Sequence, residues 1–133
     1  MIPSTSGLLL TDLTVERQPT KTYKLNVENN IINGHCDDLE AMTQAVYKIL
    51  NTERYANIMY SWNYGIELLD LFGEPIDYAV SELKRRITEA LLQDDRILSV
   101  DDFEYRADKR DVFLTFTIHT IYGDVESEKV VNI

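Results

Sequence analysis

The chain has 133 residues, of which 44% are hydrophobic and 27% are charged, a composition typical of one soluble globular domain with a modest core. The formal net charge of −10 argues against a surface that binds nucleic acid or anionic membranes, because both kinds of binding need Lys and Arg. It is compatible with a basic protein partner.

The sequence lacks the patterns that are typical of a disulfide, a metal site or a signal peptide. A single cysteine, Cys36, excludes an intrachain disulfide. With His35 it makes only two adjacent potential ligands, so a buried thiol is favoured over a metal site. Leu8–Leu10 is too short for a signal-peptide core, and no basic residue precedes it. We therefore expect no metal and no cofactor, and a protein that stays in the cytoplasm of the cell that makes it.

Residues 1–20 predict an extended N-terminal arm, and residues 21–133 predict a single domain. Pro3, Gly7 and Pro19 interrupt regular structure in the arm. Its leucines are numerous enough to favour docking on a neighbouring subunit, with a disordered tail as the alternative.

A β-hairpin is predicted at the start of the domain. Residues 22–26 have strand propensity and place Tyr23 and Leu25 on one face. Residues 28–30 form a turn signal, and Ile31–Ile32 can return as a short second strand.

The first helix is predicted at residues 37–51. Asp37 can cap its start, and Glu40 stands three residues later in the capping-box position. The acidic residues here lack the spacing of a calcium loop, so helix-start electrostatics explains them better. The predicted apolar face consists of Leu39, Met42, Val46, Ile49 and Leu50.

A second, longer helix is predicted at residues 76–93. Residues 66–73 precede it as one or two helical turns, and Pro75 suits its first turn. The basic run at residues 84–86 is interpreted first as a solvated face and second as a contact to an acidic partner. The predicted apolar face is Ile76, Ala79, Val80, Leu83, Ile87, Ala90 and Leu91.

The remaining residues predict three antiparallel strands joined by short turns. A strand at residues 100–106 needs a bulge at Asp101 or Asp102 to bring its apolar residues to one face. Residues 112–119 alternate most strongly and predict the central strand; a turn at residues 122–124 leads to the last strand. The predicted fold class is α+β, with two main helices packed on one face of an antiparallel sheet of three to five strands.

The segment between the two helices, residues 52–73, is rich in aromatic side chains. It holds the only Trp, Trp62, and three of the eight Tyr. Aromatic residues concentrate where a surface is both packed and recognised. On physical grounds alone, an irregular connection that closes the core is favoured over a binding surface.

Three parts of this segment resemble a known family. The motif Thr52-Glu53-Arg54, the run from Tyr60 to Gly65 and the Leu-rich residues 68–72 are similar to the signature of the sheath-initiator (baseplate wedge) proteins of contractile phage tails. The similarity is to the XkdS-like branch of PBSX-type defective prophages and extends over residues 23–133. Ser61-Trp62 stand where many members carry Arg-Pro.

The resemblance implies a structural baseplate protein that joins the wedge to the first sheath ring and templates sheath assembly by strand addition. It also implies about six copies in the assembled tail or tail-like particle, since such tails are six-fold. The isolated protein is expected to be able to exist as a monomer in solution. An infectious phage, a defective prophage and a bacteriocin-like particle all remain open.

Two sets of partner-binding residues follow. The predicted wedge contacts are Glu53, Arg54, Tyr60, Trp62, Tyr64 and Gly65. A salt bridge within the fold is the alternative for Glu53 and Arg54. The predicted sheath contacts lie on a terminal edge strand, residues 125–133: Val125, Ser127, Lys129 and Val131. Charged residues on that strand would discourage random pairing but allow a chosen strand to add.

An enzyme is the alternative function, because the family has carried a lysozyme label by association. Glycoside hydrolysis needs two facing carboxylates, one with a raised pKa. The candidate carboxylates near the aromatic segment are Glu53, Glu67, Asp70 and Glu74. None stands in a catalytic motif, so a structural role is favoured over a muralytic one. An assembly chaperone that is left out of the final particle is a third possibility.

Overall fold

The computed structural model describes residues 16–17 and 19–133 and confirms the α+β class. The elements are β1 (Thr22–Asn26), β2 (Ile31–Cys36), α1 (Asp38–Leu50), a 3-10 turn (Leu69–Leu71), α2 (Ile76–Leu92), β3 (Ile97–Asp108), β4 (Asp111–Thr120) and β5 (Gly123–Asn132). The arm predicted at residues 1–20 lies almost entirely outside the described residues. Neither of the two described helices is long and apolar enough to cross a membrane.

The strands form two antiparallel sheets rather than one. β1 pairs with β2, while β3, β4 and β5 form a meander with β4 in the centre. The predicted hairpin is confirmed, but β2 is longer than expected and continues to Cys36, whose side chain is buried. The Cys36 thiol lies 3.6 Å from the Gln44 Oε1 atom on α1, which ties the hairpin to that helix.

The predicted central strand is confirmed, because alternate residues of β4 are buried against the helices. The ladder between β4 and β5 is regular from Asp111↔Asn132 to Thr120↔Gly123. The buried row of β4 is Val112, Leu114, Phe116 and Ile118.

The predicted bulge in β3 is also confirmed. The register shifts between Asp101 and Glu104, and Asp102 has a φ of 55°. The extra residue turns Phe103 toward the core, where its ring lies 5.5 Å from that of Phe116. Without the bulge, the apolar residues of β3 would fall on opposite faces of the sheet.

The turn between β4 and β5 is shorter than predicted. The sequence predicted residues 122–124, but Thr120 and Gly123 still pair in the ladder. The turn therefore consists of Ile121–Tyr122 alone. The Thr120 hydroxyl donates to the Gly123 carbonyl at 2.7 Å, which holds this two-residue turn closed.

Asp37 caps the start of α1 as predicted, but Glu40 does not complete the predicted capping box. The carboxylate of Asp37 accepts a hydrogen bond from the N–H of Asp38 at 2.8 Å. The Asp38 backbone has a φ of 51°, so the first turn is not ideal. Glu40 instead pairs with Lys24 of β1 at 2.7 Å. On the apolar face, Leu39 is exposed and Ala41 is buried in its place.

The apolar face predicted for α2 is confirmed, but its start differs in two ways. Pro75 is the N-cap rather than a first-turn residue. The helical turns predicted at residues 66–73 reduce to the three-residue 3-10 turn, because Ile66 is extended and forms a β-bridge with Glu53. The described core comprises Met42, Val46, Ile49, Leu50, Ile66, Leu71, Leu83, Ile87, Leu91, Leu114, Phe116 and Ile118, with smaller neighbours.

Candidate partner-binding surfaces

The segment between α1 and α2 forms a loop, residues 54–65, which we call the aromatic loop. Two backbone hydrogen bonds close it: the Arg54 N–H donates to the Ile66 carbonyl at 3.1 Å, and the Ile66 N–H donates to the Thr52 carbonyl at 3.0 Å. Gly65 lies at this closure with a φ of 90°, and an added Cβ would stand 2.5 Å from the Thr52 oxygen. The closure therefore requires glycine.

Arg54 ties the aromatic loop together from inside. Its Nε donates to the Gly65 carbonyl and its Nη2 donates to the Asn63 carbonyl, both at 3.2 Å. The guanidinium also forms an ion pair with Glu89 of α2 at 2.9 Å, and the Arg54 side chain is only 11% exposed. Most of the donors of Arg54 are thus engaged within the fold.

Glu53 holds the other end of the same closure. Its two carboxylate oxygens accept hydrogen bonds from the Leu68 N–H at 3.0 and 3.1 Å, and one also accepts from the Leu69 N–H at 3.3 Å. These N–H groups begin the 3-10 turn, so the carboxylate acts as its cap. Arg54 forms the salt bridge within the fold that the sequence left open, whereas Glu53 bonds to backbone N–H groups instead. Their role as wedge contacts stays a prediction.

The aromatic side chains of the loop form two pairs. The rings of Tyr60 and Tyr64 stack with centroids 4.7 Å apart, and Tyr55 meets Trp62 edge-on at 6.5 Å. Tyr64 packs against the core, and burial raises the pKa of its hydroxyl. Trp62 is 85% exposed. The loop therefore has an anchored aromatic pair and an exposed one.

Sequence reasoning missed the apex of the loop. Ile58 is fully exposed and Met59 is 78% exposed, next to the aromatic pairs. An adjacent apolar pair in a segment without helical or strand periodicity was the available signal. Isolated exposed apolar residues are ordinary, but a contiguous group of this kind marks an interaction surface.

The basic run of α2 is not simply solvated. Arg86 is 13% exposed and forms ion pairs with Asp70 and with Glu82, and it also donates to the Glu67 carbonyl at 3.0 Å. It thereby fixes the segment between the aromatic loop and α2. The hydrogen bond from Arg86 holds the pKa of Asp70 below its usual value. That direction is opposite to the one a glycosidase acid requires.

β5 lies at the edge of the meander. The backbone groups of its successive residues point alternately toward β4 and toward the outer edge. The Ile133 N–H donates to the Arg110 carbonyl at 2.8 Å. Because hydrogen-bonded pairs recur every second residue in an antiparallel ladder, the odd-numbered residues of β5 direct their backbone groups toward β4. The even-numbered residues, including Glu126, Glu128 and Val130, direct theirs toward the outer edge.

The predicted sheath contacts are the odd-numbered residues. Val125 and Val131 are buried in the core, and Ser127 and Lys129 are half-buried on the same face. Their backbones bond to β4 by the same alternation. Strand addition at this edge would therefore use the backbone of the even-numbered residues, with the predicted four supporting them from the inner face.

Lys129 connects the two surfaces. Its Nζ donates to the Asn51 Oδ1 atom at 3.3 Å, at the end of α1. Burial lowers the pKa of Lys129, and the nearby Glu53 carboxylate opposes that shift. The side chain thus faces the base of the aromatic loop and not the outer face of the sheet. The outer face of β5 carries the carboxylates Glu126 and Glu128 without this lysine.

Comparison with known proteins identifies the family. The profile of the family described as "Contractile injection system sheath initiator" matches residues 18–123. The chain belongs to this family. This sheath initiator is also 41% identical over 127 residues to "Phage-like element PBSX protein XkdS" from Bacillus subtilis (strain 168), with 90% of each chain covered. The sequence-based recognition of the XkdS-like branch is confirmed.

The family assignment makes the protein a structural component of a phage-tail-like contractile system. It implies association with other tail components. The family description is structural, which favours a non-enzymatic role over the lysozyme-like alternative.

Proposed function

We propose that this sheath initiator joins the baseplate wedge to the first ring of sheath subunits. In this proposal the aromatic loop contacts the wedge, and the outer edge of β5 accepts a strand from the sheath. After synthesis in the cytoplasm, about six copies would enter each tail or tail-like particle, in keeping with six-fold symmetry.

The aromatic loop supports the wedge side of the proposal. Its exposed side chains are Tyr55, Ile58, Met59, Tyr60 and Trp62. Large aromatic side chains supply binding area at low entropic cost and dominate the energetics of many interfaces. The contacts of Glu53, Arg54 and Gly65 hold the loop closed before binding, which reduces the ordering cost of association.

The position of β5 supports the sheath side. As an edge strand it has unpaired backbone groups along one side, the arrangement that β-augmentation uses. The ladder of ten residue pairs to β4, from Asp111↔Asn132 to Thr120↔Gly123, keeps the strand straight and fixes its register. A rigid edge of this length can bind an extended segment without rearranging the core.

The observation that carries the proposal is that the chain has two exposed features of different kinds. The aromatic loop exposes several large apolar side chains, and β5 exposes unpaired backbone groups along its outer edge. A glycosidase acid needs a carboxyl with a raised pKa, whereas Arg86 lowers the pKa of Asp70, one of the candidate carboxylates. An adaptor needs two accessible surfaces that do not compete.

Reconstitution tests the proposal. The purified protein is mixed with the sheath subunit encoded beside it, with and without the wedge protein, and imaged by negative-stain electron microscopy. We expect sheath to grow from wedge only when this protein is present. Binding to neither partner would overturn the proposal. Absence of the protein from purified particles would favour an assembly chaperone instead.

A further inference from the structure

We infer that the outer edge of β5 selects an incoming strand by charge: a strand with Lys or Arg on one face and apolar or small side chains on the other. The inference rests on the proposed strand addition and deepens it by naming the chemistry of the added strand.

Glu126 and Glu128 carry the selection. Both are even-numbered, so their backbone groups point toward the outer edge while their side chains lie on the outer face of the sheet. Their partners across the ladder are Thr117 and Thr115 of β4, which are neutral. In an added strand, the residues opposite Glu126 and Glu128 would place their side chains on the same outer face. A basic residue there meets a carboxylate directly.

Charges further across the outer face reinforce this preference. Beyond the threonines, β3 contributes Asp101 opposite Thr117 and Glu104 opposite Thr115. The threonines of β4 thus lie between two acidic rows. Lys129 of β5 is on the inner face beside Asn51. On the outer face, His119 bonds to Asp101 and Asp124, and Arg106 lies over the Phe113 ring, so neither side chain is engaged with Glu126 or Glu128.

The inner face of the sheet sets the requirement for the other side chains of the added strand. Val125 and Val131 are buried there, and the helices cover this side of the sheet. Side chains of an added strand that point to this face would lie beside the row Val125, Ser127, Lys129 and Val131, where a further basic residue would also meet Lys129. Burying a charge beside it would be costly, so apolar or small residues are required. The two faces together specify an alternating basic and apolar strand.

The same carboxylates disfavour a second copy of this chain as the occupant. If two β5 edges paired antiparallel around these residues, Glu126 of one copy would oppose Glu128 or Glu126 of the other, and like charges directly opposite are destabilising. The other edge, β3, is interrupted by the bulge at Asp102. β5 is therefore the regular edge, and its charge favours a foreign basic strand.

Two synthetic peptides test the inference: a ten-residue strand that alternates Lys with Val, and a matched strand that alternates Glu with Val. The probe is the backbone amide signal of Glu126, Glu128 and Val130 in two-dimensional NMR spectra of the full chain. We expect the Lys peptide to shift these signals and to bind roughly tenfold more tightly than the Glu peptide, since two charge pairs reverse sign.

Charge-reversed variants localise the effect. The double variant Glu126→Lys, Glu128→Lys should prefer the Glu peptide. The control double variant Asp101→Lys, Glu104→Lys makes the same charge change on β3 and should retain the preference for Lys. Equal effects of the two variants would refute selection by β5 and indicate a general acidic surface.

The outcomes separate this inference from the proposed function. Equal binding of both peptides at β5 would refute charge selection and leave strand addition standing. No shift of the β5 amides with either peptide, or a shift confined to β3, would refute strand addition at β5 itself. Self-association of the wild-type chain through β5 would refute the argument that its carboxylates disfavour a second copy.

Discussion

The aromatic loop and the β3–β5 meander present opposite parts of the polypeptide to their surroundings. The loop is closed by two backbone hydrogen bonds and by the side chains of Glu53 and Arg54, and it exposes side chains such as Trp62 and Ile58. The meander is closed by backbone ladders, and it exposes the backbone of its edge strand. The chain therefore exposes large side chains on one surface and backbone groups on another.

This difference predicts which substitutions should disrupt each surface. A loop held by a few side-chain contacts is sensitive to single substitutions at its base. A ladder of many backbone bonds tolerates most surface substitutions. Its outer face should respond mainly to changes in side-chain charge, whether by substitution or by pH. The predictions below test that contrast, from the largest expected change in folding stability to the smallest.

Gly65→Ala should cause the largest loss at the loop base. The added Cβ meets the Thr52 carbonyl oxygen at 2.5 Å, and the φ of 90° is strained for alanine. We expect the free energy of unfolding to fall by about 3 kcal/mol. Gly73→Ala is the control: its φ is 86°, but no atom lies within 4 Å of the added Cβ, so only strain of about 1 kcal/mol is expected. Urea denaturation of both variants measures the difference; equal losses would contradict the steric argument.

Arg54→Ala should have the next largest effect. The substitution removes the bonds to the Gly65 and Asn63 carbonyls and leaves Glu89 without its ion-pair partner. We expect a loss of about 2 kcal/mol in urea denaturation, because the removed side chain is largely buried. Arg85→Ala removes an exposed pair with Glu82 and should cause no measurable loss. If Arg54→Ala is as harmless as Arg85→Ala, Arg54 does not stabilise the loop.

The outer face of the meander should respond to pH. Hydrogen bonds to Asp124 of β5 and then Asp101 of β3 raise the pKa of His119 above its ordinary value. A raised pKa in the folded state gives stability that is fully present below the unfolded pKa of about 6.5 and is lost as pH rises through the folded pKa. His119→Gln should remove this part of the pH dependence. Melting temperatures of the wild type and His119→Gln, measured from below the unfolded pKa to above the folded pKa of His119, test this difference. Parallel plots of melting temperature against pH would contradict a stabilising role of His119 between the strands.

Trp62→Ala should leave the free energy of unfolding unchanged, because the side chain is 85% exposed. Binding to the wedge protein should nevertheless weaken by about 2 kcal/mol, the loss typical of an interface hot spot. Tyr78→Ala on α2 removes a half-exposed aromatic outside the loop and serves as the control for binding. Isothermal titration calorimetry compares the two variants. Equal wedge affinities would remove Trp62 from the proposed interface.

Elements with strong periodicity could be predicted from the sequence. The apolar face of α2 and the alternation of β4 both follow from residue spacing, and even the bulge near Asp102 followed from an apparent break in phase. These features depend on which residues share a face, because burial of an apolar face stabilises the helix or strand that presents it.

Features set by tertiary contacts could not be predicted in the same way. The capping box failed because Glu40 pairs with Lys24 on another element. The internal partner of Arg54, Glu89, lies 35 positions away on α2, and no local pattern specifies that pairing. The direction of backbone groups along β5 required the register of the ladder. Partner contacts depend on such details, so the partner-binding residues stay predictions.

Hydrogen–deuterium exchange tests the central claim of two separate surfaces most directly. The protein is measured alone, with the wedge protein, and with the sheath subunit. We expect the wedge to slow exchange in residues 54–65 and the sheath to slow exchange in the amides of Glu126, Glu128 and Val130. Protection of one and the same segment by both partners would contradict that claim.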